Sequence, residues 1–193
     1  MISLANIKKR MGISNNDNDE LIIEKMKFAF QYVSQKIPIA VTEDESLNES
    51  GFDYYIDYDF CENKFIVKNK IILGLKVEDI ELKNIFVYDE EYEETELDVS
   101  QIKQERRIIY YEDFLEYIEA KISYTSEYGN SYIDDILQDV TIFEFKQLPI
   151  VSGSLTKNAE NVGGYYSISF KTSEEFYKTI DEKIRKIFLR GFN

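Results

Sequence analysis

Histidine and tryptophan are absent from the 193 residues, and cysteine occurs once, at Cys61. Without histidine the chain has neither the usual general base near neutral pH nor the commonest nitrogen ligand for metals, and a Ser–His triad is impossible. One cysteine allows no internal disulfide, which fits a reducing compartment. Cys61 has no basic neighbour and reads as inert rather than nucleophilic. Glycine (8) and proline (2) are too sparse for a collagenous or linker-rich chain. No apolar run approaches the roughly 20 residues that span a bilayer, and no apolar stretch of the signal-peptide kind follows Lys8, Lys9 and Arg10. Gly163-Gly164 lacks the spaced glycines and lysine of a phosphate loop, and Ser152-Gly153-Ser154 is not a nucleophile elbow. No catalytic residue, metal ligand or cofactor is expected.

What is present is apolar and acidic. Apolar residues make up 44% of the chain, aromatic residues 15% and charged residues 31%, the balance of a soluble globular protein with a real core. The net charge of −14 is unevenly placed. Residues 41–98 hold 18 acidic side chains against five basic ones, whereas residues 1–40 are slightly basic and 99–193 nearly balanced. Such a field repels nucleic acid and anionic membranes and attracts basic partners; a merely solubilising face is the alternative.

Periodicity divides the chain into a helical hairpin (1–40), an acidic β-rich segment (41–100) and an α+β segment (101–193), together one compact domain. Ser3 caps a short helix over 4–11 that Gly12 closes. Ile22, Met26, Ala29, Phe30, Val33 and Ile37 then recur at helical spacing until Pro38. From Phe52 to Phe60 the period is two, with an acidic outer face. Glu62-Asn63 is placed at a tight turn into a second strand with Phe65, Ile66 and Val67. Further strands are expected at 71–75, 80–88 and near Leu97-Asp98-Val99, in an antiparallel meander. Tyr111, Phe114, Leu115, Ile118 and Ile122 suggest a helix, Ser131 caps a shorter one through Leu137, and Thr141, Phe143 and Phe145 suggest a strand ending before Pro149. Residues 151–164 read as a flexible loop and 165–170 as a strand. A final helix opens on a Thr172/Glu175 capping box and carries Phe176, Ile180, Ile184, Ile187 and Phe188 on one face. The expected class is α+β, with an N-terminal helix pair, a central antiparallel meander and a C-terminal helix packed on the sheet.

The acidic run Asp89, Glu90, Glu91, Glu93, Glu94 and Glu96 is either a solvated hairpin tip or a surface that meets a basic partner or lines a DNA channel. Tyr55, Tyr110 and Tyr165 are candidate subunit contacts, because tyrosine is enriched in interfaces. Asn15, Asp17 and Asp19 have the spacing of a calcium loop, but Glu20 and Met26 stand where glycine and glutamate are required, so helix capping explains them better. Asp57 with Glu62 and Lys64, and Asp139 with Glu144 and Lys146, resemble the carboxylate-x-lysine core of metal-dependent nucleases. With 37 acids in the chain such triplets arise by chance, and a nuclease cleft is expected to be basic.

The first forty residues resemble the start of the tailed-bacteriophage head–tail connector (adaptor) family. The likeness lies in Ile2-Ser3-Leu4 opening a short helix with Lys8, then Gly12-Ile13, the polar turn through Asp19-Glu20-Leu21-Ile22, and a long helix carrying Ala29 and Tyr32. The family forms rings beneath the portal, usually of twelve subunits, joining capsid to tail around the DNA channel. The resemblance implies a virion structural protein, assembled in the host cytoplasm, that forms a homo-oligomer and contacts the portal and other neck or tail components. It implies neither specific nucleic-acid binding nor membrane attachment, and it carries over no catalytic residue. Family members are shorter and nearly all helical, so the sheet expected over 52–99 is a departure. A rival reading is an acidic inhibitor, a DNA mimic or immunity protein, that blocks a basic enzyme through residues 43–98.

Overall fold

A computed structural model describes residues 2–41, 46–47, 54–65, 69–148 and 172–188. After β1 (Ile2–Ser3), Ser3 Oγ accepts the Asn6 N–H at 3.2 Å and starts α1 (Leu4–Met11). Gly12, at φ 70, lets its own N–H and that of Ile13 close on the Lys9 and Lys8 carbonyls. A side chain at this left-handed position would be strained, so the glycine is what ends the helix there. The next helix, α2 (Asp19–Ser34), buries Ile22, Met26, Ala29 and Val33 and stops short of Pro38.

Ten further strands are described: β2 (Ile39–Val41), β3 (Ser46–Leu47), β4 (Tyr54–Ile56), β5 (Tyr58–Phe65), β6 (Lys70–Ile72), β7 (Ile80–Tyr88), β8 (Glu94–Leu97), β9 (Lys103–Glu105), β10 (Ile108–Tyr110) and β11 (Glu119–Ser126). Short 3-10 turns occupy Val99–Gln101 and Glu112–Glu116, and the helices α3 (Glu127–Lys146) and α4 (Ser173–Ile187) complete the order. The fold is α+β, with helices at both ends and antiparallel sheet between. Among the described residues no helix is long and apolar enough to cross a membrane.

The chain forms two compact units. The first takes Met1–Gln35, Glu43–Asp57 and Ile133–Lys183. In it β1 and β3 flank β4, and Arg10 and Lys183 both reach Asp139, at 2.8 and 2.7 Å. The rings of Phe143 and Phe176 stack with centroids 3.9 Å apart, and Tyr177 donates to Glu144 at 2.6 Å.

The second unit takes Lys36–Thr42, Tyr58–Tyr132 and Ile184–Asn193. Its main sheet has the order β2-β5-β11-β7-β8, and a smaller one has the order β6-β10-β9. Tyr58, Phe60, Ile85, Val87, Ile122 and Tyr124 form the buried face of the main sheet. The end of α4 packs on it: Phe188 bridges Leu75 and sets its ring 5.9 Å from Phe60.

Four sequence expectations are corrected. The stretch 52–60 is not one strand: Tyr54–Ile56 pairs in one sheet and Tyr58–Phe65 in another, with Asp57 between them. Glu62-Asn63 is no turn but the middle of β5, paired with Ile122 and Lys121 of β11. The helix expected over 111–122 is a 3-10 turn followed by β11, because β5 and β7 offer β11 a partner on each side. Residues 131–146 are one continuous helix, where Ile133, Ile136, Leu137, Val140, Thr141 and Phe145 share the buried face. There Thr141 Oγ1 donates to the Leu137 carbonyl at 2.7 Å, so a β-branched polar residue sits satisfied within a helix. Phe52, Ile66, Val67, the loop 151–164 and the strand 165–170 lie outside the described residues.

Candidate interaction surface

The acidic run folds as a hairpin. β7 and β8 pair antiparallel, with Tyr88 opposite Glu94 and Phe86 opposite Glu96, so those two glutamates lie on the outer face of an edge strand. Charge on an edge strand opposes pairing with another sheet. At the tip Asp89 Oδ1 accepts the N–H groups of Glu91 and Glu93, at 2.9 and 3.0 Å. Asp89 thus braces the turn from within, while Glu90, Glu91 and Glu93 stand exposed around it. Glu94 accepts the Tyr88 hydroxyl at 2.5 Å, and this bond is the main cause that raises the Tyr88 pKa above the ordinary tyrosine value. Beyond the hairpin, hydrogen bonds from Ser100 hold the Asp98 carboxyl below its ordinary pKa. The tip is therefore a set of exposed carboxylates on a braced frame.

The three tyrosines proposed as contacts fare differently. Tyr55 is half-buried in β4, opposite Ser3 and Ser46. Tyr110 is half-buried in β10 with Lys103 Nζ 5.8 Å from its ring centre, so part of that ring is already used within the chain. Tyr165 lies outside the described residues. Exposed apolar surface instead includes Tyr92 (66% exposed) at the hairpin tip, Leu115 (73%), and Tyr128 and Tyr132 on the first turns of α3 with ring centres 5.3 Å apart. Tyr92 adopts φ 60, a left-handed backbone uncommon for a residue other than glycine. The i, i+4 spacing of Tyr128 and Tyr132 is the signal that identifies them, once 127–146 is read as one helix.

The carboxylate-x-lysine triplets serve other ends. Glu62 is fully buried and accepts the Tyr124 hydroxyl, the Gly74 N–H at 3.0 Å and the Lys64 ammonium at 2.5 Å. Gly74 makes the approach close: a Cβ there would lie 3.2 Å from Glu62 Oε2 and 3.3 Å from the Phe188 ring, so both would have to give by a few tenths of an ångström. Asp57 belongs to the first unit, and Glu62 with Lys64 to the second. In the first unit Asp139 pairs with both Arg10 and Lys183, Glu144 takes the Tyr177 hydroxyl, and Lys146 is exposed. Asn15 donates to Asp17 at 2.8 Å and Asp19 pairs with Lys8 at 2.7 Å, so the calcium-like spacing is spent on local turn contacts. Among the described residues no group of three or more carboxylate or cysteine side chains is placed to hold a metal ion.

Comparison of the chain with protein-family models, curated proteins and solved structures finds no match.

Proposed function

We propose that the chain is a structural subunit of a phage neck or tail assembly, a ring-forming head–tail adaptor around the DNA channel that performs no catalysis. The observation that carries this reading is the braced, solvent-facing hairpin of Glu90, Glu91 and Glu93, with Glu94 and Glu96 along its edge. Carboxylates fixed in this way repel phosphate, which suits a lumen through which DNA must slide without sticking. The N-terminal residues that resemble the adaptor family fold as two capped or acid-led helices, and Tyr92, Tyr128 and Tyr132 offer aromatic surface for subunit or neighbour contact. Portal and tail proteins are the proposed neighbours, and the virion the proposed location.

Native mass over a concentration series, alone and with a cognate portal ring, tests the proposal. A discrete large ring in either condition is the expected result. A monomer that ignores the portal yet binds one basic enzyme tightly, with steep salt dependence, would replace the adaptor with the acidic-inhibitor reading.

A further inference from the structure

The second unit carries a cationic cleft at the opposite end of β7 from the acidic tip. A cavity of about 320 Å³ is lined by Lys76, Val77, Glu78, Arg106 and Arg107. The whole chain holds 23 basic residues against 37 acidic ones, and the convergence of three cations on one cleft runs against that balance. The cleft is held in shape. Arg106 sits at φ 55 in the turn between β9 and β10, and Gln104 Nε2 ties that turn down by donating to the Arg106 and Ile80 carbonyls, at 2.8 and 2.9 Å. The Arg107 carbonyl accepts the Leu73 N–H at 2.9 Å, which fixes the turn against the strand that leads to Lys76. Arg106 meets Glu78 at 3.3 Å in an exposed pair, and among the described residues no carboxylate lies within ion-pair distance of Arg107. Glu78 offsets one cation, and the cleft remains net positive.

The acidic tip of the same molecule does not reach this cleft. Glu78 precedes β7 and Asp89 follows it, and a strand of nine residues separates them by about 30 Å at roughly 3.3 Å per residue. We propose that the hairpin tip, through Glu90 and Glu91, docks into the Lys76, Arg106 and Arg107 cleft of a second copy of this chain. The warrant is charge complementarity between two preformed patches that one chain cannot join to each other. One-way docking of tip into cleft is a head-to-tail contact, which closes into a ring or runs on as a filament; reciprocal docking closes a dimer. The inference rests on the self-associating part of the adaptor reading: Glu90 and Glu91 meet the basic cleft of the neighbouring copy, and Glu93, Glu94 and Glu96 are the carboxylates left to face the channel.

Charge reversal tests it on the full-length protein. Sedimentation at low salt compares the wild type with E90K/E91K and with R106E/R107E, each alone and as an equimolar mixture. Each variant alone opposes like charges and is expected to lose association by about tenfold or more. The mixture presents a basic tip to an acidic cleft and an acidic tip to a basic cleft, so association returns. Circular dichroism checks folding, and K76E replaces R106E/R107E if the β9–β10 turn does not tolerate the change. Unchanged association in either variant, or no recovery on mixing, overturns the contact. So does a wild type that stays monomeric up to millimolar concentration, and a portal-templated ring would then still stand without it. Recovery on mixing with the mass of a dimer keeps the contact and removes the ring.

Discussion

Glu62 and Glu94 each accept a hydroxyl from a tyrosine, one on an inner strand of the main sheet and the other on its edge strand. Glu62 is sealed on β5 by Tyr124, Gly74 and Lys64, whereas Glu94 meets Tyr88 in solvent on β8. Between these extremes Tyr177 serves Glu144 at 2.6 Å and Tyr32 serves Asp181 at 2.8 Å, both partly buried. A chain with 37 acids, 15 tyrosines and no histidine satisfies carboxylates with phenols. What such a pair is worth depends on the water around it. A buried acceptor that loses its donor keeps the full desolvation cost, while an exposed one turns to solvent.

That contrast is sharpest at Glu62. Glu62→Ala leaves the Tyr124 hydroxyl, the Gly74 N–H and the Lys64 ammonium without their shared acceptor, and we expect a loss of about 3 kcal/mol in urea unfolding. That is the low end of the roughly 3–5 kcal/mol typical of a broken buried pair, because the Lys64 side chain retains 12% exposure. A loss below about 1 kcal/mol would mean that the cluster is not the constraint its burial implies. Tyr124→Phe keeps the ring against Phe60 and removes only the donor, for an expected loss of about 1–3 kcal/mol on the same measurement.

The partly buried pairs give a pH signature. Burial first, then the hydrogen bonds to Glu144 and Asp181, raise the pKa of Tyr177 and of Tyr32 well above the ordinary tyrosine value. A phenol whose folded pKa is raised holds its proton more tightly in the native state. Its contribution is complete below about pH 10 and is lost as pH rises through the folded pKa. The double variant Tyr32→Phe/Tyr177→Phe is expected to lose less stability than the wild type between about pH 9 and pH 12. An identical alkaline slope in the two proteins would detach these hydroxyls from stability. At the sheet edge, Tyr88→Phe is expected to cost at most about 0.5 kcal/mol. Replacement of Glu90, Glu91 and Glu93 by glutamine should leave the unfolding midpoint within about 0.5 kcal/mol of the wild type while weakening self-association. If the glutamine variant unfolds far more easily, the hairpin carboxylates belong to the fold and not to a surface.

The hairpin was legible in the sequence and the buried cluster was not. Six carboxylates within residues 89–96, after an alternating strand, have nowhere to go but water, so the run marks a tip whatever the tertiary context. Glu62 carries no such mark. Its neighbours Tyr58 and Phe60 share its face of β5, but a charged residue followed by asparagine reads as a turn until Tyr124, Gly74 and Lys64 are seen to converge on it. The cationic cleft was equally hidden, because Lys76 is far along the chain from Arg106 and Arg107 and meets them only where the β9–β10 turn is fixed against the strand at Leu73.

Elements whose signals are local can be read from the chain alone. α1 lies between its serine cap and its left-handed glycine, α2 and α4 follow from their apolar stripes, and β7 follows from its alternation. Capping, periodicity and turn chemistry act within a few residues and need no distant partner. Long-range pairing and packing are what make β11 a strand set between β5 and β7, 127–146 one helix, and β5 continuous through Glu62. For β11 and β5 local preference is weak, and hydrogen bonds to strands far away in sequence decide the conformation; for α3 and Glu62 a core or a set of donors makes an otherwise unfavourable residue the satisfied one.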